Sequence, residues 1–132
     1  QVPVWLCHGA GVDVAGWTDQ GAISLPCATT AGTVDPTDAM RVLADQGITR
    51  VFCEGGGMLA ASLLNAGLVD RLVVFSAGCA IGAEGTPMLA AMGVSKLHDA
   101  PKFVLENVRQ IGADICHSWR HLPTPDVGVA GK

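Results

Sequence analysis

The chain has 132 residues, 49% hydrophobic and 15% charged, which is the length and apolar content of one ordinary domain with a buried core and excludes a disordered chain. Its eight Lys and Arg are outnumbered by twelve Asp and Glu, its net charge is −4 and it has no tyrosine, so it lacks both the basic face and the aromatic surface of a nucleic-acid partner. Glycine or charge interrupts every apolar run well before the roughly 20 residues of a spanning helix, so no membrane partner is expected either.

Val2 to Cys7 is a short apolar run closed by His8-Gly9-Ala10-Gly11, and Ala22 to Pro26 is another bounded by glycine and proline. Both suit buried strands. Asp35-Pro36-Thr37-Asp38 offers an N-cap, a proline at the first helical position and an acid in the first turn. A helix through Met40, Val42 and Leu43 to a stop at Gly47 follows from that pattern. Ile48 to Cys53 has strand length and runs into Glu54-Gly55-Gly56-Gly57. Met58, Leu59, Leu63 and Ala66, with a terminating Gly67, then carry helical spacing.

Another strand is predicted at Arg71 to Ala77. Gly78 to Ala100, rich in Gly, Ala and Pro, reads as the chief mobile loop with one short helical turn. Lys102 to Gln110 and Asp114 to His121 form two further strands at hairpin spacing across Ile111-Gly112-Ala113. The tail from Pro123 is expected to fray. This order predicts an α/β sheet, parallel in its centre with an antiparallel edge. Ligands of such sheets lie outside the carboxyl ends of the parallel strands, which selects Cys53 to Gly57.

Two readings of that turn stand on the residues alone. Glu54 would end a buried strand, where a carboxylate needs donors or a solvated cleft. Three glycines opening a helix leave backbone N–H groups bare, and with the helix dipole they attract an anion. Alternatively, the glycines only make a tight turn and Glu54 is a solvated cap. The stretch is neither a Walker A loop nor a GxGxxG fingerprint.

The other candidates are structural. Five widely spaced cysteines without a CxxC pair read as buried or half-buried thiols of a reducing compartment. His117 and His121 share a strand face with Ile115 and Trp119, but their Cα atoms would lie roughly 13 Å apart, too far for one metal. His8 is expected on a surface turn, with the cofactor side as the alternative, and Trp5, Trp17 and Trp119 are expected as core or interface anchors.

Val51-Phe52-Cys53-Glu54-Gly55-Gly56-Gly57-Met58-Leu59, then Ser62-Leu63-Leu64 and Ala66-Gly67-Leu68-Val69-Asp70-Arg71-Leu72, resembles the signature of the riboflavin-biosynthesis pyrimidine reductases. In that family the reductase is the C-terminal domain of the bifunctional RibD deaminase-reductase. Gly32-Thr33-Val34-Asp35, Ala100-Pro101-Lys102-Phe103 and Val108 to Asp114 extend the likeness, which runs from about Val2 to Arg120. The chain departs from the family where Gly78 and Gly82-Ala83 stand in place of a proline and a Gly-Gly pair. It also resembles only the later part of the reductase domain.

The resemblance implies an α/β, dihydrofolate-reductase-like mixed sheet in three α/β/α layers, with a parallel centre, an antiparallel C-terminal hairpin and the N-terminal part of the domain absent. Residues 1–122 would be the C-terminal portion of a reductase domain and residues 123–132 a flexible tail. It further implies a cytoplasmic homodimer that uses NADPH to reduce a phosphoribosylamino-pyrimidine, with a deaminase domain elsewhere in the full chain. Glu54 would contact substrate, and Gly56, Gly57, Met58, Leu59, Ala60, Ala61 and Ser62 would receive the cofactor's phosphates. Another dihydrofolate-reductase-like oxidoreductase, or a non-catalytic dimerisation or nucleotide-binding remnant, are the alternatives.

Overall fold

The computed structural model describes residues 2–122, so the tail expected at 123–132 lies outside the described residues. The chain divides into two compact units, residues 1–54 and 55–132.

In the first unit, β1 (Trp5–Gly9) and β2 (Ile23–Cys27) pair in parallel, with Cys7 opposite Leu25. The one-turn helix α1 (Ala15–Thr18) lies between them in the chain. Sequence patterning did not foresee it, because four residues are too few to show a period. Two short strands, β3 (Thr29–Thr30) and β4 (Thr33–Val34), form a hairpin whose turn residues Ala31 and Gly32 have φ of 52° and 80°. Glycine accepts that conformation, whereas alanine brings its Cβ against the following carbonyl. Ala31→Gly is therefore expected to raise stability by about 0.5–1 kcal/mol, read as a shift of the urea midpoint at unchanged slope.

α2 (Pro36–Asp45) starts where its cap predicts: the Asp35 carboxylate accepts from the N–H groups of Thr37 and Asp38 at 2.8 and 3.0 Å. It closes with Gly47 N–H on the Ala44 carbonyl and Ile48 N–H on the Leu43 carbonyl, a termination that needs the positive φ of Gly47. Ala39 is buried, with Met40, Val42 and Leu43 half-buried beside it. The Asp38 carboxylate ties the helix to the end of β2 through the Ala28 N–H at 2.7 Å. That bond, and then the Arg41 guanidinium, hold the Asp38 carboxyl below its ordinary value. A lowered acid contributes stability above its unfolded pKa, and this contribution is lost as pH falls through the folded one.

Ile48 to Cys53 departs from expectation. The segment has no regular secondary structure, and Val51 and Phe52 are 52% and 77% exposed. A strand exists only through its ladder, and no described strand pairs with these residues. Among the described residues, parallel pairing is thus confined to β1 and β2.

The second unit opens with α3 (Gly57–Asn65), which buries Ala61, Leu63 and Leu64 and ends at Gly67 with the same pair of closing bonds as α2. β5 (Arg71–Ser76), β6 (Phe103–Ile111) and β7 (Asp114–His121) form an antiparallel sheet in the order β5-β7-β6. The expected hairpin is present, with Ile111 opposite Asp114 across Gly112-Ala113. Two short 3₁₀ turns, Gly82–Glu84 and Leu97–Asp99, interrupt the loop where one helical turn was expected. A bulge between Leu105 and Asn107 admits Glu106 as an extra residue. Its carboxylate meets Arg71 at 2.9 Å and Arg120 at 3.3 Å, two like charges that the register sets opposite each other. The bulge relieves a repulsion that a regular ladder would leave standing.

Candidate functional site

The two helices begin in opposite ways. Both leave their first amides without intrahelical acceptors, but α2 carries a carboxylate of its own there, whereas α3 has the side-chain-free Gly56 as its cap and no side-chain cap bond. The start of α3 therefore combines bare N–H groups with the positive end of the helix dipole. Gly56 sits at φ −66° and ψ 173°, ordinary extended backbone, and a Cβ added there would meet nothing within 4 Å.

Gly57 is different. A Cβ on it would fall 3.0 Å from the Pro87 carbonyl oxygen, 3.1 Å from that of Met88 and 3.2 Å from the Ala90 nitrogen. Ala90 N–H also donates to the Gly57 carbonyl at 3.1 Å. The loop at Pro87 to Ala90 thus lies against the first turn of α3, and Gly57 is a glycine because backbone passes there. No local pattern announces this contact, which joins residues thirty apart. Gly55 gives room to Leu59, whose Cδ2 would stand 2.6 Å from an added Cβ.

Of the predicted site residues, Glu54 is exposed. Gly56 is exposed as the cap of α3, Met58, Leu59 and Ser62 are exposed on the helix, Gly57 and Ala60 are half-buried, and Ala61 is turned into the core. Next to the helix, an apolar groove of about 650 Å³ runs between Leu64, Leu72, Phe103 and the loop from Leu89 to Val94.

The remaining candidates fall elsewhere. His8 lies on β1 and not on a surface turn: one ring nitrogen meets the Gly9 carbonyl at 2.9 Å and the other the Ser24 hydroxyl at 2.7 Å. The register sets Pro26 opposite His8 and Ser24 opposite Leu6, so the imidazole reaches Ser24 diagonally along one face of the pair, and both ring nitrogens are engaged. All five cysteines are free, but Cys53 and Cys79 are exposed where buried or half-buried thiols were expected. Burial, and then neighbouring Cys27, push the Cys7 thiol up, which lowers its thiolate fraction. Trp5 is half-buried and Trp17 is 60% exposed. His121 meets Phe103 edge-on at 5.2 Å. Among the described residues no three His, Cys, Asp or Glu side chains converge, and no helix is long and apolar enough to cross a membrane.

The sequence model of the family described as the RibD C-terminal domain matches residues 12–117. The chain belongs to that family. RibD of Escherichia coli K12 is 38% identical over 85 residues, covering 64% of this chain and 23% of the relative. RibD of Haemophilus influenzae is 32% identical over 114 residues, 86% of this chain and 29% of that protein. A Buchnera aphidicola protein named 5-amino-6-(5-phosphoribosylamino)uracil reductase is 32% identical over 76 residues, 58% of this chain and 37% of its own length.

The chain therefore spans 23% to 37% of these three relatives. Among solved structures, Acinetobacter baumannii RibD superposes with a TM-score of 0.73 at 23% identity, over 90% of this chain and 31% of that one. A pyrimidine reductase-like protein of Corynebacterium diphtheriae gives 0.72 at 20% identity, over 92% and 50%. The fold is the mixed α/β, dihydrofolate-reductase-like fold of RibD reductases.

Proposed function

We propose that this chain is part of an NADPH-dependent reductase of riboflavin biosynthesis, acting on 5-amino-6-(5-phosphoribosylamino)uracil to give the ribitylamino product. The observation that carries the reading is the uncapped amide end of α3, which has room at Gly56 for a phosphate and no carboxylate of its own to compete. Family membership and the reductase named among the relatives support the substrate class. The protein is read as a cytoplasmic homodimer with a deaminase domain elsewhere in the whole chain, and residues 1–132 alone are not expected to turn over.

The site is suited to the cofactor because amides, not side chains, face the dipole end. Gly56, Gly57, Met58, Leu59, Ala60, Ala61 and Ser62 would form the phosphate site, with the approach at the amides of Gly57, Met58 and Leu59, because the Ala60 N–H already donates to the Gly56 carbonyl and Ala61 faces the core. The loop at Pro87 to Ala90 lies against that first turn. Bound there, NADPH would supply a hydride for the ribosyl C1′ of the ring-opened imine. Glu54 would hold the polar edge of the pyrimidine. No side-chain nucleophile is required, since holding the reactants in line is the protein's contribution.

If Glu54 contacts substrate and not cofactor, Glu54→Gln in the whole protein should cut kcat/KM for the pyrimidine by about tenfold or more, roughly 1.4 kcal/mol. The NADPH dissociation constant should stay within twofold. Weakened NADPH binding with normal substrate kinetics would reverse the assignment of the two ligands.

A further inference from the structure

Two serine hydroxyls among the described residues meet a histidine, and the two pairs have opposite polarity. Between β1 and β2, the Ser24 hydroxyl lies 2.7 Å from His8 Nε2, and His8 Nδ1 lies 2.9 Å from the Gly9 carbonyl oxygen. A carbonyl oxygen can only accept, so Nδ1 carries the proton of the neutral ring and Nε2 keeps its lone pair. The Ser24 hydroxyl therefore donates to Nε2.

Between β5 and β7, the Ser76 hydroxyl lies 3.1 Å from His117 Nε2, while Trp119 Nε1 bonds His117 Nδ1. An indole N–H can only donate, so here Nδ1 accepts and Nε2 holds the proton. Nε2–H then donates to Ser76, and this ring cannot take a proton from the hydroxyl it faces. Of the two serines, Ser24 faces a base and Ser76 does not.

The surroundings of Ser24 are those of an activated hydroxyl. A nucleophile stands within hydrogen-bond reach of a base, and a third group orients the base, here a backbone carbonyl where many hydrolases use a carboxylate. Strand geometry adds a donor. Ile23 N–H donates to the Val4 carbonyl, so Ile23 presents its backbone groups to β1, and Ser24, one residue on, presents its N–H to the opposite edge of β2. Among the described residues no strand pairs along that edge, and Pro26, the next residue to face it, has no N–H and suits an unpaired edge. The Ser24 amide is thus open beside its own hydroxyl, where it can meet charge that develops on an oxygen under attack by Oγ. Ser24 and His8 are both half-buried, so a small molecule can reach them.

We propose that Ser24 is an acyl-acceptor site, with His8 as its general base and an activated carboxylic ester as the acyl donor. As Ser24 Oγ bonds the ester's carbonyl carbon, its proton passes to His8 Nε2. The bond from that carbon to the alcohol oxygen then breaks, and the departing oxygen takes the proton from Nε2. The products are O-acyl-Ser24 and the free alcohol, with no change of oxidation state. The proposal stands independently of the reductase reading.

To test it, the whole protein is treated with p-nitrophenyl acetate, and the acetylated residues are located over time by peptide mass spectrometry. Ser24 should be acetylated about tenfold or more faster than Ser76, although Ser76 is the more exposed of the two. His8→Gln, which keeps a hydrogen-bond acceptor but no base, should slow acetylation of Ser24 by about a hundredfold and leave Ser76 within twofold of the parent. Long-range ¹H–¹⁵N spectra should show His8 as the Nδ1–H tautomer and His117 as the Nε2–H tautomer.

Equal rates at Ser24 and Ser76 in the unsubstituted protein, an unchanged Ser24 rate in a folded His8→Gln variant, or a His8 ring protonated on Nε2 would each overturn the proposal. The first and third of these need no substitution, so they judge it whether or not His8→Gln folds.

Discussion

Leu63→Ala is expected to lower stability by about 2–5 kcal/mol, the largest loss foreseen for any single residue. The reason is the thinness of the core. Among the described residues only Leu25, Cys27, Ala39, Ala61, Leu63, Leu64 and Cys116 form the buried apolar set, and three of them belong to α3. Small domains hold about 5–15 kcal/mol in total, so one lost leucine removes a large share. On the proposed phosphate role of α3, the same substitution should also weaken NADPH binding, because Leu63 is one of the three side chains that bury the helix and so hold the direction of its amides. Urea unfolding followed by tryptophan fluorescence, with NADPH titration of the folded fraction, measures both. A midpoint shift worth less than about 1 kcal/mol would show that the site relaxes around the missing side chain.

Local chemistry made the helices legible. Asp35-Pro36 and Gly47 bracket α2, and Gly56-Gly57 and Gly67 bracket α3, because caps and stops act within a few residues of the backbone groups they satisfy. The hairpin of β6 and β7 was legible for a similar reason, as a two-residue turn led by glycine fixes its register. Ile48 to Cys53 has the sequence of a strand without being one, because apolar content is a local property while a ladder partner is not. The Glu106 bulge and the hydrogen bonds that His117 makes with Ser76 and Trp119 are invisible for the same cause: each depends on which residues register sets side by side. Glu54 and the glycines could be named from the motif, yet the sequence treated Gly56 and Gly57 as equivalent, and the structure separates them.

That separation supplies the second large effect. Gly57→Val should cost about 1–3 kcal/mol, the range of an overpacked site, because the new Cβ would meet two carbonyl oxygens and an amide nitrogen at 3.0 to 3.2 Å. Backbone cannot swing aside as a side-chain end can. Either α3 shifts or the Pro87 to Ala90 loop lifts, and the bond from Ala90 N–H to the Gly57 carbonyl goes with it. Gly56→Val meets no such obstacle, since its surroundings are open to 4 Å and its backbone angles suit any residue. It should fold with stability within about 0.5 kcal/mol of the parent. Its isopropyl group would nevertheless stand beside the bare amides of α3, so a phosphate could no longer approach them, and NADPH affinity should fall by at least about tenfold, 1.4 kcal/mol. The pair thus divides two roles that glycine plays in one motif, with the stability loss at position 57 and the binding loss at position 56. Fluorescence titration of NADPH and urea unfolding on the two variants give four numbers. Equal NADPH affinity in a folded Gly56→Val protein would take the phosphate role away from this helix end, and an unshifted urea midpoint in Gly57→Val would show that the loop yields.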